Sequence, residues 1–347
     1  QDFFPTLPSP VTTATLGETK HAEIVCWGVS PQAIHLFETL NEKHSTHFIL
    51  PVWRDEHRYL SRREAGSEVL RKLTEMIPEI SPSLIPQYTD SIKEMEKTIQ
   101  QSPVPLLVKS PYSSSGRGLL WLWNGLGAKE RELLCGMLRK QQHVSLEPIL
   151  NKKLDFSLQY ACDGNGSISL EGYSIFATND KGAYIGSHLA PQSNLIGRIT
   201  AFIPNELLRR VENELTRLIK HQYAACYKGC VGVDMMIYEE NGEYKIHPCV
   251  EINMRYSMGY VALKIQQNYL SPGATGVFRI DHHPQPGKAL RIHQELHRRH
   301  PLVIENNRIQ SGYLSLCRIG EETRFVCSIT QFEICEHLLQ YANKSIF

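Results

Sequence analysis

A lysine followed by a loop of small residues is the first feature of the sequence that could do chemistry. A short apolar run ends at Lys109, and it is followed by Ser113, Ser114, Ser115, Gly116, Arg117 and Gly118. Small residues allow backbone N–H groups to approach phosphate oxygens closely, and such concave segments bind anions. The segment differs from a Walker A loop, in which the lysine follows the glycines and opens a helix. Taken alone, it is also compatible with a flexible hairpin connection that carries a solvated lysine.

A predicted hairpin over residues 231–253 brings acidic side chains together. Asn241-Gly242 is a strong signal for a two-residue turn, so we expect Glu240 opposite Glu243. This register places Asp234 opposite Cys249 and diagonal to Glu251, at roughly 7–8 Å. One face of the hairpin is then entirely apolar, with Val231, Val233, Met235, Ile237, Ile246, Pro248, Val250 and Ile252. The other face carries Gly232, Asp234, Met236, Lys245, His247, Cys249, Glu251 and Asn253.

The second face has the chemistry of a site for a hard cation. The carboxylates of Asp234 and Glu251 and the amide oxygen of Asn253 are ligands that suit Mg²⁺. The alternative is an ordinary solvent-exposed face, where acidic residues are common. Arg255 continues the polar face, which favours the metal site. Pro248 could mark a bulge that shifts the register.

The order of these elements resembles the ATP-grasp superfamily. The resemblance rests on Lys109 with its loop, on Leu146-Glu147-Pro148-Ile149-Leu150, on Gly232-Val233-Asp234 and on Glu251-Ile252-Asn253-Met254-Arg255. The same order is found in D-alanine–D-alanine ligases, biotin carboxylases and amino-acid ligases. The similarity covers about residues 60–260, and the ordered set is specific although no single motif is.

The resemblance implies a role for each matching residue. Lys109 would contact the ATP phosphates, and the loop 113–118 would close over them. Glu147 and Ile149 would form the hinge that reads adenine through backbone groups, and Asp155 would bind the ribose hydroxyls. The implied Mg²⁺ or Mn²⁺ ligands are Asp234, Glu251 and Asn253. Arg255 would face the transferred phosphoryl group or the acceptor. The family usually has a further phosphate-binding lysine earlier in the chain; no lysine matches it in this sequence, and Arg62 is the nearest candidate for that contact.

The resemblance also implies the fold, which is α+β with two lobes gripping ATP. Residues 22–28 and 46–52 read as strands flanking a helix over 31–43, a small Rossmann-like N-terminal portion. Ser61 and Glu64 are spaced as a capping box for a helix that runs to about Met76. We expect three parts: residues 1–80, a small lobe over 81–147 and a large lobe with the metal site over 148–347. The C-terminal part should hold strands over 313–319 and 324–329 and then a short helix.

The implied activity is Mg-ATP-dependent ligation. A carboxylate would be activated as an acyl phosphate and attacked by an amine or another nucleophile, so the expected partners are small carboxylates and amines. A phosphotransferase or carboxylase on the same fold, and a nucleotide-binding regulatory module without turnover, are the alternatives. A homodimer is compatible with the resemblance.

Composition excludes several other classes of protein. The chain has 347 residues with 41 % hydrophobic and 21 % charged residues, which is typical of globular proteins. Its 37 basic and 36 acidic residues give a net charge of +1, which provides no global field for nucleic acid. No apolar run approaches the ~18 residues of a membrane span. The nine cysteines are scattered and form no C-x-x-C pair, so we expect reduced thiols in a cytoplasmic protein.

A group of histidines near the C-terminus is a weaker candidate for a metal site. His293, His297 and His300 are spaced to share one face of a helix. The segment lacks the acid of an H-E-x-x-H motif, and Arg298 and Arg299 lie beside it. A solvated basic helix is therefore the favoured interpretation.

Overall fold

The structure, a computed structural model, describes residues 22–113 and 116–332. The described helices are α1 Pro31–His44, α2 Glu56–Leu60, α3 Arg63–Met76, α4 Ile92–Gln101, α5 Ala128–Gln141, α6 Gln192–Thr200, α7 Asn205–Tyr223, α8 Met258–Tyr269 and α9 Lys288–Arg299. The described strands are β1 Gln87–Thr89, β2 Leu106–Lys109, β3 Leu119–Leu122, β4 Val144–Pro148, β5 Asn151–Asp163, β6 Ile168–Thr178, β7 Tyr184–Leu189, β8 Lys228–Glu240, β9 Glu243–Asn253, β10 Thr275–His282, β11 Val303–Glu305, β12 Arg308–Ser315 and β13 Phe325–Phe332. None of the described helices is both long and apolar enough to span a bilayer.

The small lobe is an antiparallel sheet in the order β1-β4-β2-β3, with α4 and α5 against it. Its strands alternate, so that Leu106 and Val108 join the core while Leu107 and Lys109 face the other way, into a cleft. Leu134 of α5 is completely buried in this core. The small lobe therefore presents Lys109 from a strand that is fixed by packing behind it.

The large lobe is built on a sheet whose described strands follow the order β11-β12-β13-β10-β7-β6-β5-β8-β9. The apolar face of β5 and β8 packs under α7, and Val211, Leu215 and Ile219 of this helix are completely buried. Helix α3 packs in the same core and contacts β9, although it precedes the small lobe in the chain. The opposite face of β5, β8 and β9 is turned toward the small lobe.

The β8–β9 hairpin confirms the turn but corrects the register. Glu240 pairs with Glu243 as expected, and the pairing continues to Met236 and His247. A bulge then adds residues to β9, so Asp234 pairs directly with Glu251 rather than with Cys249. Pro248 lies in this bulge, where its ring removes a backbone donor from the ladder.

The bulge also exchanges two side chains between the faces of the hairpin. Cys249, predicted for the polar face, is buried in the hydrophobic core, where its thiol donates to the Gly66 carbonyl. Val250, predicted for the apolar face, lines the cleft instead. Beyond the bulge the alternation returns, with Glu251 on the cleft side and Ile252 in the core.

In the N-terminal portion the predicted helix is present, but the two predicted strands are not. Helix α1 begins after Ser30, whose hydroxyl accepts from the Ala33 amide, and it matches the predicted 31–43 segment. The two predicted strands reduce to one parallel bridge between Glu23 and Ile49. Val25 is 66 % exposed, so this segment lacks the burial that would sustain a core strand. A Rossmann-like character of this portion stays a prediction.

Two further boundaries differ from expectation. Ser61 is the residue after the end of α2, and its hydroxyl donates to the His57 carbonyl. It therefore does not form a capping box with Glu64. Arg62, not Ser61, is the residue before α3. In the C-terminal part the first predicted strand is shifted to β12, and β10 was not predicted at all. The predicted terminal helix lies outside the described residues.

We expect Leu134→Ala to destabilise the protein by about 2–5 kcal/mol, because it leaves a cavity in the small-lobe core. Urea unfolding measures this loss. Leu133, the neighbouring residue, is 49 % exposed, and Leu133→Ala is therefore the matched control. Its effect should stay within about 0.5 kcal/mol. Equal losses for the two variants would contradict the packing described for α5.

Candidate functional site

Three cross-strand rows of side chains form the cleft face of the large lobe. The middle row runs Ser174, Ser157, Asp234, Glu251 across β6, β5, β8 and β9. The row toward the hairpin turn runs Phe176, Asp155, Met236, His247. The third row contains Gln159, Gly232 and Asn253. Directly paired residues in a sheet have Cβ atoms about 4.5–5.5 Å apart, so the bulge brings two carboxylates face to face.

Asp234 and Glu251 are directly paired across the hairpin, and both carboxylates are partly buried. The Asn253 side-chain amide donates to Asp234 Oδ2 at 2.9 Å. Burial, followed by the charge of Glu251, raises the pKa of Asp234 from 3.8 to about 7. A group of oxygen ligands with this excess of negative charge is suited to a divalent cation.

Buried polar groups next to this row hold it in place. Gln159 Nε2 donates to Ser157 Oγ at 2.7 Å, and Ser257 Oγ donates to Gln159 Oε1 at 2.8 Å. Gly232 and Gly259 pack against Gln159 so tightly that an added Cβ would lie 3.0 Å or less from its amide group. The predicted register, with Glu240 opposite Glu243, would put Gly232 opposite Glu251. Gly232 instead pairs with Asn253 of β9, and its missing side chain makes room for Gln159.

Arg63 reaches the carboxylates, and the sequence did not single it out. Its Nη2 lies 3.3 Å from Glu251 Oε1 and donates to Ser113 Oγ at 2.7 Å, and its Nε donates to the Ser110 carbonyl at 3.1 Å. Arg62, which was predicted for the phosphate contact, instead donates to the Tyr112 hydroxyl at 2.7 Å and lies over its ring. The start of α3 at Arg63 decides which arginine points to the cleft.

Lys109 forms a buried ion pair with Glu147 of the neighbouring strand. Only 5 % of Lys109 and 9 % of Glu147 are exposed. Ile149 follows on the same segment, and its amide donates to the Pro105 carbonyl at 2.9 Å. The Ile149 N–H is therefore already used, which leaves its carbonyl for contact with a ligand.

The cleft between the lobes has a volume of about 210 Å³. Of the residues predicted for the site, it is lined by Lys109, Glu147, Ile149, Asp155, Asp234 and Glu251. Asp155 accepts from Lys152 Nζ at 2.5 Å and from Thr178 Oγ1 at 3.0 Å. Ligand pockets usually measure about 300–1,000 Å³, so the cleft is smaller here than most small-molecule sites.

The loop after Lys109 contacts the large lobe. Gly116 and Gly118 both adopt φ +73°, and an added Cβ on Gly116 would lie 2.5 Å from the Lys181 carbonyl oxygen. This left-handed conformation and this close approach require glycine. Arg117 lines a neighbouring open depression rather than the cleft. Ser114 and Ser115 lie outside the described residues.

Arg255 lies between the acidic row and the N-terminal portion. Its Nη1 donates to the Tyr256 carbonyl at 3.2 Å, and Gly28 packs against its side chain. The positive charge of Arg255 lowers the pKa of Asp234 and so opposes the burial that raises it. The Tyr256 amide donates to the Trp27 carbonyl at 2.8 Å, which ties this corner to the N-terminal portion.

The C-terminal histidines do not meet as a group of three close ligand atoms in the described part of the chain. His293 and His297 lie on α9, whereas His300 follows its last turn, and His293 Nδ1 lies 3.2 Å from the Tyr313 hydroxyl. Among the described residues, Glu56, His57 and Cys226 alone cluster as three close ligands. Both nitrogens of His57 are engaged there, with the Arg54 amide at 3.3 Å and the Cys226 carbonyl at 2.8 Å.

Solved structures share this architecture, although sequence comparisons do not find relatives. No protein-family model matches the chain, and no characterised protein matches its sequence. The N5-carboxyaminoimidazole synthetase of Staphylococcus aureus, complexed with ADP, superposes with a TM-score of 0.55 at 13 % identity, over 96 % of this chain and 83 % of that one. Biotin carboxylase of Campylobacter jejuni gives a TM-score of 0.57 at 12 % identity, over 94 % and 74 %.

This chain has the ATP-grasp fold. A third match is the biotin carboxylase domain of the 2-oxoglutarate carboxylase of Hydrogenobacter thermophilus, in complex with MgADP, ADP and bicarbonate. It has a TM-score of 0.53 at 12 % identity, over 90 % of this chain and 70 % of that chain. At these identities the likeness concerns the fold, and the chemistry must be argued from the side chains of this ATP-grasp cleft.

Replacing Asp234 by asparagine should stabilise the metal-free protein at alkaline pH. The pKa of this carboxyl is raised in the folded state, so the folded protein holds the proton more tightly and stability falls as pH rises from about 4 to about 7. Asparagine cannot ionise and avoids this loss. With EDTA present, Asp234→Asn should melt above the parent at about pH 8, and the difference should shrink toward about pH 5. Parallel pH profiles for the two proteins would show that Asp234 is not held in this environment.

Proposed function

We propose that this chain binds Mg-ATP in the interlobe cleft and uses it to activate a carboxylate as an acyl phosphate, which an amine or another nucleophile then attacks. The observation that carries the proposal is the direct pairing of Asp234 with Glu251, beside Asn253 and across the cleft from Lys109. A site that only sensed a nucleotide would not need this complete set of oxygen ligands, which argues for turnover.

The acidic row fits a magnesium ion by its own chemistry. Mg²⁺ is usually held by one or two carboxylates, and substrate phosphates and waters complete its octahedral shell. Asp234 and Glu251 would supply the carboxylates, and Asn253 would supply its amide oxygen. The raised pKa of Asp234 fits this role, because a nearby cation would offset both the burial and the charge of Glu251 that raise it. The bound ion would neutralise charge on the phosphates as the γ-phosphoryl group is transferred. Mn²⁺ could replace Mg²⁺ at such a site.

The nucleotide would lie with its phosphates toward Lys109 and the acidic row. The row with Asp155 and Met236 lies one step further toward the hairpin turn, so it would contact the nucleoside. Asp155 would then accept hydrogen bonds from the ribose hydroxyls. The hinge segment from Glu147 to Ile149 would contact the base through backbone groups, including the Ile149 carbonyl.

The proposed reaction needs positioning more than acid–base chemistry. A carboxylate oxygen of the substrate attacks the γ-phosphorus, an O–P bond forms, and the bond to the β-phosphate oxygen breaks as ADP leaves. The nucleophile then attacks the acyl carbon, and phosphate leaves. Lys109, Arg63 and Arg255 place positive charge around the transferred group, and such fixed charges in a closed cleft stabilise charge that develops in the transition state.

A carboxylase is the second candidate, since one matched structure contains bicarbonate together with MgADP. Bicarbonate would then be the carboxylate that is phosphorylated. A screen of ATP hydrolysis against pooled carboxylates and amines, with and without bicarbonate and with mass detection of products, separates the two candidates. Dependence on bicarbonate in every productive pool would favour the carboxylase.

Once the carboxylate is known, oxygen labelling tests the acyl phosphate. We expect one ¹⁸O atom to pass from a labelled carboxylate to inorganic phosphate, because the attacking oxygen leaves with the phosphoryl group. Mass spectrometry of the phosphate measures this transfer. A control with labelled water should place no such label in single-turnover phosphate. Unlabelled phosphate from a labelled carboxylate would exclude this mechanism, and a stable phosphorylated product would indicate a phosphotransferase.

Adjacent arginines provide a matched test of the cleft geometry. Arg63→Met should weaken Mg-ATP binding by about tenfold or more, because charge-assisted contacts to the loop and the acidic row are lost. Arg62→Met removes the same charge from a residue that contacts Tyr112, and its binding constant should stay within about twofold. Calorimetric titration with Mg-ATP gives both values. A larger effect at Arg62 would reverse the assignment.

A further inference from the structure

His247 is a buried cleft residue to which the proposed chemistry assigns no role. It lies on β9 immediately before the bulge, lines the cleft, and is only 5 % exposed. Its Nδ1 is enclosed and has no hydrogen-bond partner among the described residues. A buried polar atom without a partner costs free energy, and such atoms in folded proteins call for an explanation.

The position of His247 in the sheet indicates which part of a nucleotide it would meet. It pairs with Met236, and Met236 pairs on its other side with Asp155. This row is one step removed from the row that holds Asp234 and Glu251. If the phosphates lie over the acidic row, His247 faces the nucleoside, on the side of Met236 away from Asp155. The apolar Met236 side chain between them suits the face of a base.

The imidazole of His247 is suited to a neutral partner. Burial, together with the positive charge of Lys109, lowers its pKa to about 3, so the ring carries no charge at neutral pH. A neutral imidazole offers one N–H donor and one acceptor nitrogen. The polar edge of a nucleobase presents donors and acceptors of this kind, whereas a phosphate presents only acceptors and is better matched by Lys109.

We propose that His247 hydrogen-bonds the nucleobase of the bound nucleotide and contributes to base selection in the cleft. The proposal rests on the proposed function, because it requires a nucleotide between the lobes. It also accounts for the unpartnered Nδ1 of His247. When the base binds and the imidazole ring turns toward it, this nitrogen gains a hydrogen-bond partner. His247 is then a specificity-determining residue, and the metal and the transferred phosphoryl group would lie over the neighbouring acidic row.

Calorimetric titration of the full chain with three ligands tests the contact: adenosine, Mg-ATP and Mg-tripolyphosphate. His247→Phe should weaken adenosine and Mg-ATP by the same factor, about three- to tenfold, as expected for one neutral hydrogen bond. Tripolyphosphate binding should not change. His247→Gln keeps a donor and an acceptor and should recover part of the loss. His188, an uncharged histidine on β7 outside the cleft, gives the control His188→Phe, which should bind all three ligands like the parent.

The outcomes separate this proposal from the proposed function. If the parent binds Mg-ATP and both His247 variants bind adenosine as tightly as the parent, the base contact is wrong and the nucleotide site stands. If His247→Phe weakens tripolyphosphate but not adenosine, the residue contacts phosphate and the proposal is overturned. If the parent binds neither Mg-ATP nor adenosine, both proposals fail together.

Discussion

The structure of the cleft depends on the direct cross-strand pairing of two carboxylates in the β8–β9 hairpin. Asp234 and Glu251 are directly paired, partly buried and of like charge, which raises the pKa of Asp234 to about 7. Such an arrangement is unfavourable by itself, and like charges opposite each other destabilise a sheet. A divalent cation between the carboxylates converts this repulsion into attraction. The acidic row therefore explains a local weakness of the fold, and it supports the proposed binding of metal-bound phosphates.

Other parts of the molecule hold the two carboxylates in place. The bulge around Pro248 moves Glu251 opposite Asp234, and it buries Cys249 in the core against Gly66 of α3. The same helix begins with Arg63, which links Glu251 to the loop that follows Lys109. The proposed phosphate contact at Lys109 and the proposed metal site at the acidic row are therefore linked through the start of helix α3 and the loop after Lys109.

The sequence predicted the elements with strong local signals and missed those set by tertiary packing. Helix α1, Pro31–His44, matches the predicted 31–43 segment, because Ile34, Phe37 and Leu40 recur there at helical spacing. The Asn241-Gly242 turn fixed the register only as far as His247, since a bulge is decided by how Cys249 packs against α3. The choice of Arg63 over Arg62 depends on a single residue at a helix start, and helix ends are poorly encoded in local sequence.

The same contrast between local sequence signals and tertiary packing is found in the N-terminal portion and in the site. Residues 22–28 have the apolar composition of a core strand, yet the described structure leaves Val25 exposed and forms one bridge at Glu23. His247 escaped notice because the predicted face contained several polar residues, and only burial distinguishes an enclosed histidine from a solvated one. Motif order along the chain predicted that Lys109, Glu147, Asp155, Asp234 and Glu251 would come together. They do line one cleft, and their roles stay predictions.

Anomalous diffraction from crystals grown with Mn²⁺ and a non-hydrolysable ATP analogue tests the central claim most directly. The account predicts a manganese peak between Asp234 and Glu251, with an oxygen of each carboxylate within about 2.0–2.5 Å, and analogue phosphates completing the shell on the Lys109 side. A peak elsewhere in the molecule, or an Asp234 side chain turned into the apolar face, would contradict both the register and the function built on it.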